Sequence, residues 1–203
     1  MPLSPRSARV DRQTAETHVT VALGLDAGSD PAPGDYANAT GVGFLDHMLD
    51  LLARHGGFGL HVTCAGDLHV DDHHTVEDVG LALGQALGEA LGDKAFVARY
   101  ADATVPMDEA LARAAVDLSG RSFLVFEARF DRERVGDLST EMVEHFWHAV
   151  ADQARLTLHL DVLRGANDHH RIEAVFKAAA RALRAAVRRD PDGDRLPSTK
   201  EAF

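Results

Sequence analysis

The sequence predicts an α+β fold made of two similar halves, and repeated motifs predict it. The spacing H-H-x-x-E occurs twice, in "DDHHTVEDVG" (71–80) and in "NDHHRIEAVF" (167–176). An acidic residue followed by histidine precedes each copy by 24 to 26 positions, at His47 in "LDHML" and at His145 in "VEHFW". In both halves the first motif lies on a helical pattern, a strand-like pattern follows, and H-H-x-x-E begins a second helical pattern. A repeat of this length indicates a duplicated structural unit.

The first half begins with a strand-like pattern and ends with a long helical one. Alternating apolar residues predict a strand in "AETHVTVALGLD", and the Gly, Pro and Asp residues of "AGSDPAPGDYANAT" predict a loop. A helix is predicted over 44–55, and "FGLHVTCAG" predicts the next strand. The apolar stripe of that helix is Leu45, Met48, Leu49 and Leu52. Residues 73–91 predict a long helix with glycine at 80, 84, 88 and 92, a row that allows another helix to approach closely.

The second half repeats this order after three strand-like segments, "AFVARYADATV", "ALARAAVDLSG" and "SFLVFEARF". "STEMVEHFWHAVADQA" predicts a helix with a Ser/Thr-x-x-Glu start, and "RLTLHLDVL" predicts a strand. "HHRIEAVFKAAARALRAAV" predicts the second long helix, with alanine at 174, 178, 182 and 186. Because both long helices carry rows of small residues, we expect them to pack against each other. The end of the chain, "RRDPDGDRLPSTKEAF", predicts an irregular tail.

Composition excludes several classes of protein. The chain has 203 residues, 45% of them hydrophobic, which is enough for a sizeable core. A formal charge of -11 provides no basic field for nucleic acid. The sequence has no apolar run that would span a membrane and no apolar signal core, so we expect a cytoplasmic protein. The single cysteine, Cys64, excludes an internal disulfide and is expected to be a buried thiol.

The repeated histidines and glutamates predict a dinuclear metal site. Residues three or four apart share a helix face, so we expect His74 to act with Glu77 and His170 with Glu173. The other histidine of each pair faces elsewhere, which suits two ions better than one. The candidate ligands form two sites of four: His47, His73, His74, Glu77, His145, His169, His170 and Glu173. Imidazole and carboxylate without thiolate favour Mn²⁺, Fe²⁺ or Zn²⁺.

The motif alone leaves alternatives open. A single H-H-x-x-E can also be a chance grouping of solvent-exposed histidines and acidic residues. Two copies, each with a histidine at a similar distance upstream, are much less often accidental. We interpret His18, His61, His148 and His159 as ordinary strand or surface residues. A dinuclear metallohydrolase and a non-catalytic metal-binding protein remain competing functions on the metal ligands alone.

Several longer motifs resemble those of the imidazoleglycerol-phosphate dehydratase family of histidine biosynthesis. They are "FLDHMLDLLARHG", "GDLHVDDHHTVEDVGLALG", "PMDEAL", "VDLSGR", "GANDHHRIEAVFKAAARAL" and "LPSTK". The resemblance runs from about Arg12 to Lys200. It implies long helices packed against mixed four-stranded-type sheets. It also implies one catalytic domain made of two repeats, about 12–93 and 94–190, followed by a C-terminal tail.

The resemblance implies the loss of water from imidazole glycerol phosphate to give imidazole acetol phosphate. In the family the substrate's imidazole ring binds manganese as an imidazolate, and the ions act as Lewis acids and templates. The implied cofactors are two Mn²⁺ per active site, held by the same eight residues. The implied assembly is a large homo-oligomer, a 24-mer built from trimers, with active sites between neighbouring subunits.

The same resemblance implies roles for residues that would otherwise be interpreted as surface charges. Glu16 matches the family's base for the carbon-bound proton. The phosphate-binding set is Arg99, Arg121, Lys177, Ser198 and Lys200, and further substrate-site positions are His55 and Asp108. The sequence departs from the family at Leu51, where glutamine is common, which affects one polar contact with substrate.

Overall fold

The protein, described here by a computed structural model over residues 4–190, contains four α-helices and two four-stranded sheets within that range. The first half comprises β1 (Ser7–Gln13), β2 (Thr17–Gly24), β3 (Tyr36–Ala39), α1 (Gly43–Gly56), β4 (Gly59–Gly66) and α2 (His73–Leu91). The second comprises β5 (Tyr100–Met107), β6 (Ala110–Asp117), β7 (Phe123–Glu127), the short pair β8 (Arg134–Val135) and β9 (Leu138–Ser139), α3 (Met142–Ala154), β10 (Thr157–Arg164) and α4 (Asp168–Ala186). Ser198 and Lys200 lie outside the described residues.

The two sheets have the same topology. Their strand orders are β1-β2-β4-β3 and β5-β6-β10-β7. In each sheet the first three strands pair antiparallel, and the fourth pairs parallel with its neighbour. Each half is therefore a β-β-β-α-β-α unit with matching pairings. The predicted α+β fold with two similar halves is confirmed.

Two strands of the four-stranded sheets were not predicted from the sequence, nor was the short pair β8 and β9. The segment that contains β3 was expected to be a loop, but Tyr36–Ala39 pairs with β4. This strand is short and lies at the edge of the sheet, and only one of its residues is a typical strand former. Ser7–Gln13 also forms a strand, β1, although Val10 is its only fully buried residue. Both strands depend on pairing with another strand, β1 with the adjacent β2 and β3 with β4 beyond α1, rather than on their own alternation.

The glycine row of α2 provides close contact with α3, the shorter helix of the other half. A β-carbon on Gly80 would lie 2.8 Å from the Phe146 carbonyl oxygen, and one on Gly84 would lie 2.6 Å from the Val150 carbonyl oxygen. The helix backbones therefore approach so closely that a side chain has no room at either position. The predicted close approach at this row is confirmed.

The expected partnership between the two long helices is wrong. The main helical partner of α2 is α3, whereas α4 packs against α1 and against strands β5 and β6. Each short helix thus lies on the long helix of the opposite half. The predicted apolar stripes of α1 and α3 are buried in these contacts and against the sheets, with Leu45, Met48, Phe146 and Trp147 at the centre of the core. None of the helices within residues 4–190 combines the length and hydropathy needed to cross a lipid bilayer.

Replacing Gly84 with alanine should destabilise the protein relative to the matched replacement Gly88→Ala. Both changes gain the same helix propensity, but only the β-carbon at 84 overlaps α3, since the nearest atom to one at 88 is 3.4 Å away. Overpacking of this kind costs about 1–3 kcal/mol. We therefore expect the free energy of unfolding of G84A to be lower than that of G88A by about this amount. Urea denaturation followed by the fluorescence of Trp147, the single tryptophan, measures the difference. Equal stabilities would contradict the close approach of α2 and α3.

Candidate metal centre

One group of potential ligands joins α1 to the start of α4. His47 lies on α1, and His169 and Glu173 lie one turn apart on α4. The Glu173 Oε2 atom is 3.2 Å from His169 Nε2 and 3.7 Å from His47 Nε2. Glu173 is 6% exposed, whereas both imidazoles are partly open to solvent. We call this set triad A.

The second group joins α2 to α3 in the equivalent way. His73 and Glu77 lie one turn apart on α2, and His145 lies on α3. The rings of His73 and His145 are 5.2 Å apart between centroids. We call this set triad B. In each triad three potential ligand atoms lie within 4.8 Å of one another, and the donors are imidazole and carboxylate, so the residues fit a divalent ion such as Mn²⁺.

Within one chain the glutamates are grouped with the other histidine of each doublet from the one predicted. His73, not His74, shares a group with Glu77, and His169, not His170, shares one with Glu173. A helix face accommodates both three- and four-residue spacing, so the sequence could not distinguish these pairs. The packing of α3 on α2 and of α1 on α4 decides between them, because it places the third ligand beside the first histidine of each doublet.

The second histidine of each doublet is held by a carboxylate at Nδ1. His74 Nδ1 lies 3.0 and 3.2 Å from the two carboxylate oxygens of Asp67. His170 Nδ1 lies 2.7 Å from Glu109 Oε2. The hydrogen bond to Asp67 raises the pKa of His74, and the one to Glu109 raises the pKa of His170. The same bond to His170, aided by backbone amides, lowers the pKa of Glu109 to about 2.

A second carboxylate approaches the other nitrogen of each of these histidines. Glu16 Oε1 is 3.8 Å from His74 Nε2, and Asp108 Oδ2 is 3.9 Å from His170 Nε2. Glu16 lies in the turn between β1 and β2, and Asp108 lies in the equivalent turn between β5 and β6. Both carboxylates are exposed. The duplication thus produces two sites with the same arrangement: a triad, a separate histidine and a carboxylate at a hairpin turn.

Comparisons with known proteins agree with this arrangement. A profile described as imidazoleglycerol-phosphate dehydratase matches residues 40–183, which contain both triads. The chain belongs to the imidazoleglycerol-phosphate dehydratase family.

Individual relatives match over nearly the whole chain. The imidazoleglycerol-phosphate dehydratase of Salinibacter ruber is 64% identical over 97% of this chain and 95% of its own. The histidine biosynthesis bifunctional protein HisB of Xanthomonas axonopodis is 51% identical over 97% of this chain and 55% of its own. The crystal structure of the Staphylococcus aureus imidazoleglycerol-phosphate dehydratase is similar with a TM-score of 0.80 at 43% identity, covering 90% of this chain and 99% of that one.

Lys177 lies beside triad A. Its Nζ atom is 2.5 Å from Glu173 Oε1, one turn farther along α4. Burial raises the pKa of Glu173, but the hydrogen bond and charge of Lys177, together with His47, outweigh burial and lower it. His55, near the end of α1, has a lowered pKa because of burial and of the charges on Lys177 and Arg181. Leu51, on the same helix, packs partly buried against the core.

Arg99 and Arg121 lie far from the triads within one chain. The Arg99 backbone N–H donates to the Ala186 carbonyl at the end of α4, thirteen residues and roughly 20 Å beyond Glu173. Arg99 is buried, and its Nε atom donates to Asp117 Oδ1 at 2.8 Å. Arg121 is exposed and follows β6, the strand that contains Asp117. The two arginines are therefore at the opposite end of the second sheet from Asp108.

Sequence reasoning missed Asp67 and Glu109. Neither belongs to the repeated H-H-x-x-E unit, and their positions are unrelated, because Asp67 follows β4 whereas Glu109 precedes β6. The available signal was only that both acids lie inside quoted motifs, Asp67 seven residues before His74 and Glu109 next to Asp108 in "PMDEAL". His18 and His61 pair with Asp11 and Asp35 on the first sheet and belong to neither triad.

Cys64 should be a poor nucleophile. The thiol is half-buried on β4, and burial raises its pKa to about 11. At about pH 8 the thiolate fraction is then roughly a hundredth or less of that of a free cysteine. We expect iodoacetamide to alkylate the folded protein at least fifty-fold or so more slowly than the urea-unfolded protein, as measured by mass spectrometry over time. Equal rates would show that the thiol is accessible and ionised in the folded state.

Proposed function

We propose that the chain is a dehydratase of histidine biosynthesis that converts imidazole glycerol phosphate to imidazole acetol phosphate and water with two Mn²⁺ per active site. The observation that carries the proposal is the pair of triads, each assembled from both halves of a chain in the imidazoleglycerol-phosphate dehydratase family. The named activity of the close relatives supports the reaction. We assign the whole chain to one catalytic domain of two repeats, because neither half holds a complete triad.

The triads are the proposed holders of the ions. Triad A supplies His47, His169 and Glu173, and triad B supplies His73, Glu77 and His145. The bound ions would supply Lewis acidity and a template for the substrate's imidazole ring and hydroxyl group. Three ligands from one triad leave coordination positions for another protein ligand and for substrate or water, since Mn²⁺ favours six ligands.

His74 and His170 are the proposed additional ligands, acting on ions held by a neighbouring copy. Both are engaged at Nδ1, and both are absent from the triads formed within one chain. Their side chains are 34% and 25% exposed, which is consistent with contact with another subunit. This division uses all eight predicted ligands, four for each ion.

Glu16 is the proposed base for the carbon-bound proton. Its carboxylate is 54% exposed and sits next to His74 rather than inside a triad, so it is free to face a substrate held by the metal. The proton that Glu16 takes from carbon and the hydroxide that the substrate loses from the neighbouring carbon together account for the released water. Asp108 occupies the equivalent hairpin turn and is the proposed second carboxylate in contact with substrate.

The phosphate-binding set is proposed to come together only between subunits. Lys177 and His55 lie near triad A, whereas Arg99 and Arg121 lie at the far end of a sheet that is roughly 26 Å long. A small substrate cannot span that length, so the metal end and the arginine end of different copies must meet. The remaining members of the set are Ser198 and Lys200. This requirement supports an assembly of several copies, whereas the 24-mer built from trimers and the cytoplasmic location are proposed from membership of the family.

Glu16→Gln should remove the activity without removing the metal. We expect kcat to fall by about 10²- to 10⁴-fold, since the amide cannot accept the proton. The assay follows imidazole acetol phosphate formed from imidazole glycerol phosphate with Mn²⁺, and elemental analysis counts the bound ions. Glu89→Gln, an equal change of charge at an exposed position on α2, is the matched control. A hydrolysed phosphate ester as the product, or full activity of E16Q, would contradict the proposal.

Exhaustive chelation should shift the assembly to trimers or smaller species and abolish activity. Because the proposed ions take ligands from two subunits, they stabilise the assembled form by mass action. Light scattering after EDTA treatment, and again after Mn²⁺ is restored, measures the change. Recovery of both size and activity is expected. A particle that keeps its size and activity after all metal is removed would refute both the ligand assignment and the shared sites.

A further inference from the structure

We propose that Asp67 and Glu109 are positioning residues that fix the tautomers of His74 and His170, so that each histidine presents an unprotonated Nε2 atom to a metal ion. The inference rests on the proposed function, which makes these histidines metal ligands. It adds two acidic residues to the site and assigns each of them to one histidine.

The geometry at His170 determines which nitrogen carries the proton. Glu109 Oε1 accepts two backbone N–H groups, from Ala166 at 3.1 Å and from Asn167 at 2.9 Å, just before α4. That oxygen is fully engaged, and the other, Oε2, faces His170 Nδ1 at 2.7 Å. A carboxylate oxygen only accepts, so Nδ1 must donate. The neutral imidazole then has its lone pair on Nε2, the atom available for a metal.

His74 is held in the same way by a different residue. Both oxygens of Asp67 lie within 3.2 Å of His74 Nδ1, and the Asp67 side chain is 17% exposed. No backbone donor contacts the carboxylate oxygens of Asp67 within residues 4–190. The duplicated histidines therefore share one device, although the acids that provide it lie at unrelated positions of the repeat. Such carboxylate contacts orient ligating histidines and raise their basicity in metal sites generally.

The two carboxylates respond differently to replacement by an amide, which provides a sharp test. In Glu109→Gln the amide oxygen keeps the two hydrogen bonds from the backbone N–H groups of Ala166 and Asn167. The amide NH₂ group cannot take that place, because it would put donors opposite donors. The NH₂ group must then face His170 Nδ1, which can only accept from it, so the proton moves to Nε2. In Asp67→Asn the side chain can rotate to offer its oxygen to His74 Nδ1. The same chemical change thus switches one tautomer and leaves the other largely as it is.

The first experiment observes the tautomers without metal. Chelated wild-type protein and both variants are labelled with ¹⁵N-histidine, and long-range ¹H–¹⁵N spectra are recorded well above the ordinary imidazole pKa. Signals are assigned with His74→Gln and His170→Gln. We expect protonated Nδ1 at both histidines in wild type and protonated Nε2 at His170 in E109Q. A wild-type His170 protonated at Nε2, or an unchanged tautomer in E109Q, would overturn the proposal.

The second experiment measures Mn²⁺ binding by chelator competition. One of the two ions per chain should bind about 10- to 100-fold more weakly in E109Q, with the other unchanged, and D67N should have a smaller effect. Asp67→Ala removes the hydrogen-bond acceptor altogether, so it should weaken binding of the ion whose affinity is unchanged in E109Q. Glu89→Gln is again the control for charge. Two ions bound with wild-type affinity in E109Q and D67A would overturn the positioning role, whereas a wild-type protein that binds no manganese would instead overturn the proposed function.

Discussion

The candidate site depends on the exchange of helix partners between the two halves. The short helix α1 lies on α4, and the short helix α3 lies on α2, so each triad takes one histidine from a short helix of one half and a histidine and a glutamate from the long helix of the other. The close approach at Gly80 and Gly84 is what brings α3 near enough to contribute His145. If each short helix packed on its own long helix, the ligands would be grouped differently. The site is therefore a product of tertiary packing.

The histidine doublets follow from the geometry of a helix whose two sides have different surroundings. Adjacent residues point about 100° apart. The first histidine of each doublet faces the packed short helix, and the second faces a hairpin turn with a carboxylate at its tip. Two adjacent histidines in the sequence therefore lie in different surroundings in the structure. The arrangement separates the histidines that belong to a triad from the histidines that lie outside both triads.

The sequence alone was enough to predict the two halves, and repetition also drew attention to the six residues that form the two triads. It did not indicate which histidine of each doublet lies in a triad, since three- and four-residue spacing are equally compatible with one helix face. The strands at Ser7–Gln13 and Tyr36–Ala39 were missed because each is stabilised by a partner strand rather than by its own pattern. Asp67 and Glu109 were missed because an acidic side chain has no periodic signal, and only the folded chain places them at Nδ1. Glu16 was predicted from the family resemblance alone, and the structure places its carboxylate beside His74.

The symmetry of the triads constrains how such a chain works as a unit. A half with α1 and α2 alone contains His47 without its partners on α4, and His73 and Glu77 without His145. One copy of either half could form no triad, whereas two halves packed with exchanged helices form both. A mutation that loosens α3 from α2 would therefore separate the ligands of one triad even though every ligand is still present. Packing at the glycine row and the proposed metal binding are consequently linked: an ion bound to His145 and Glu77 would join the same two helices whose contact at Gly80 and Gly84 brings those residues together.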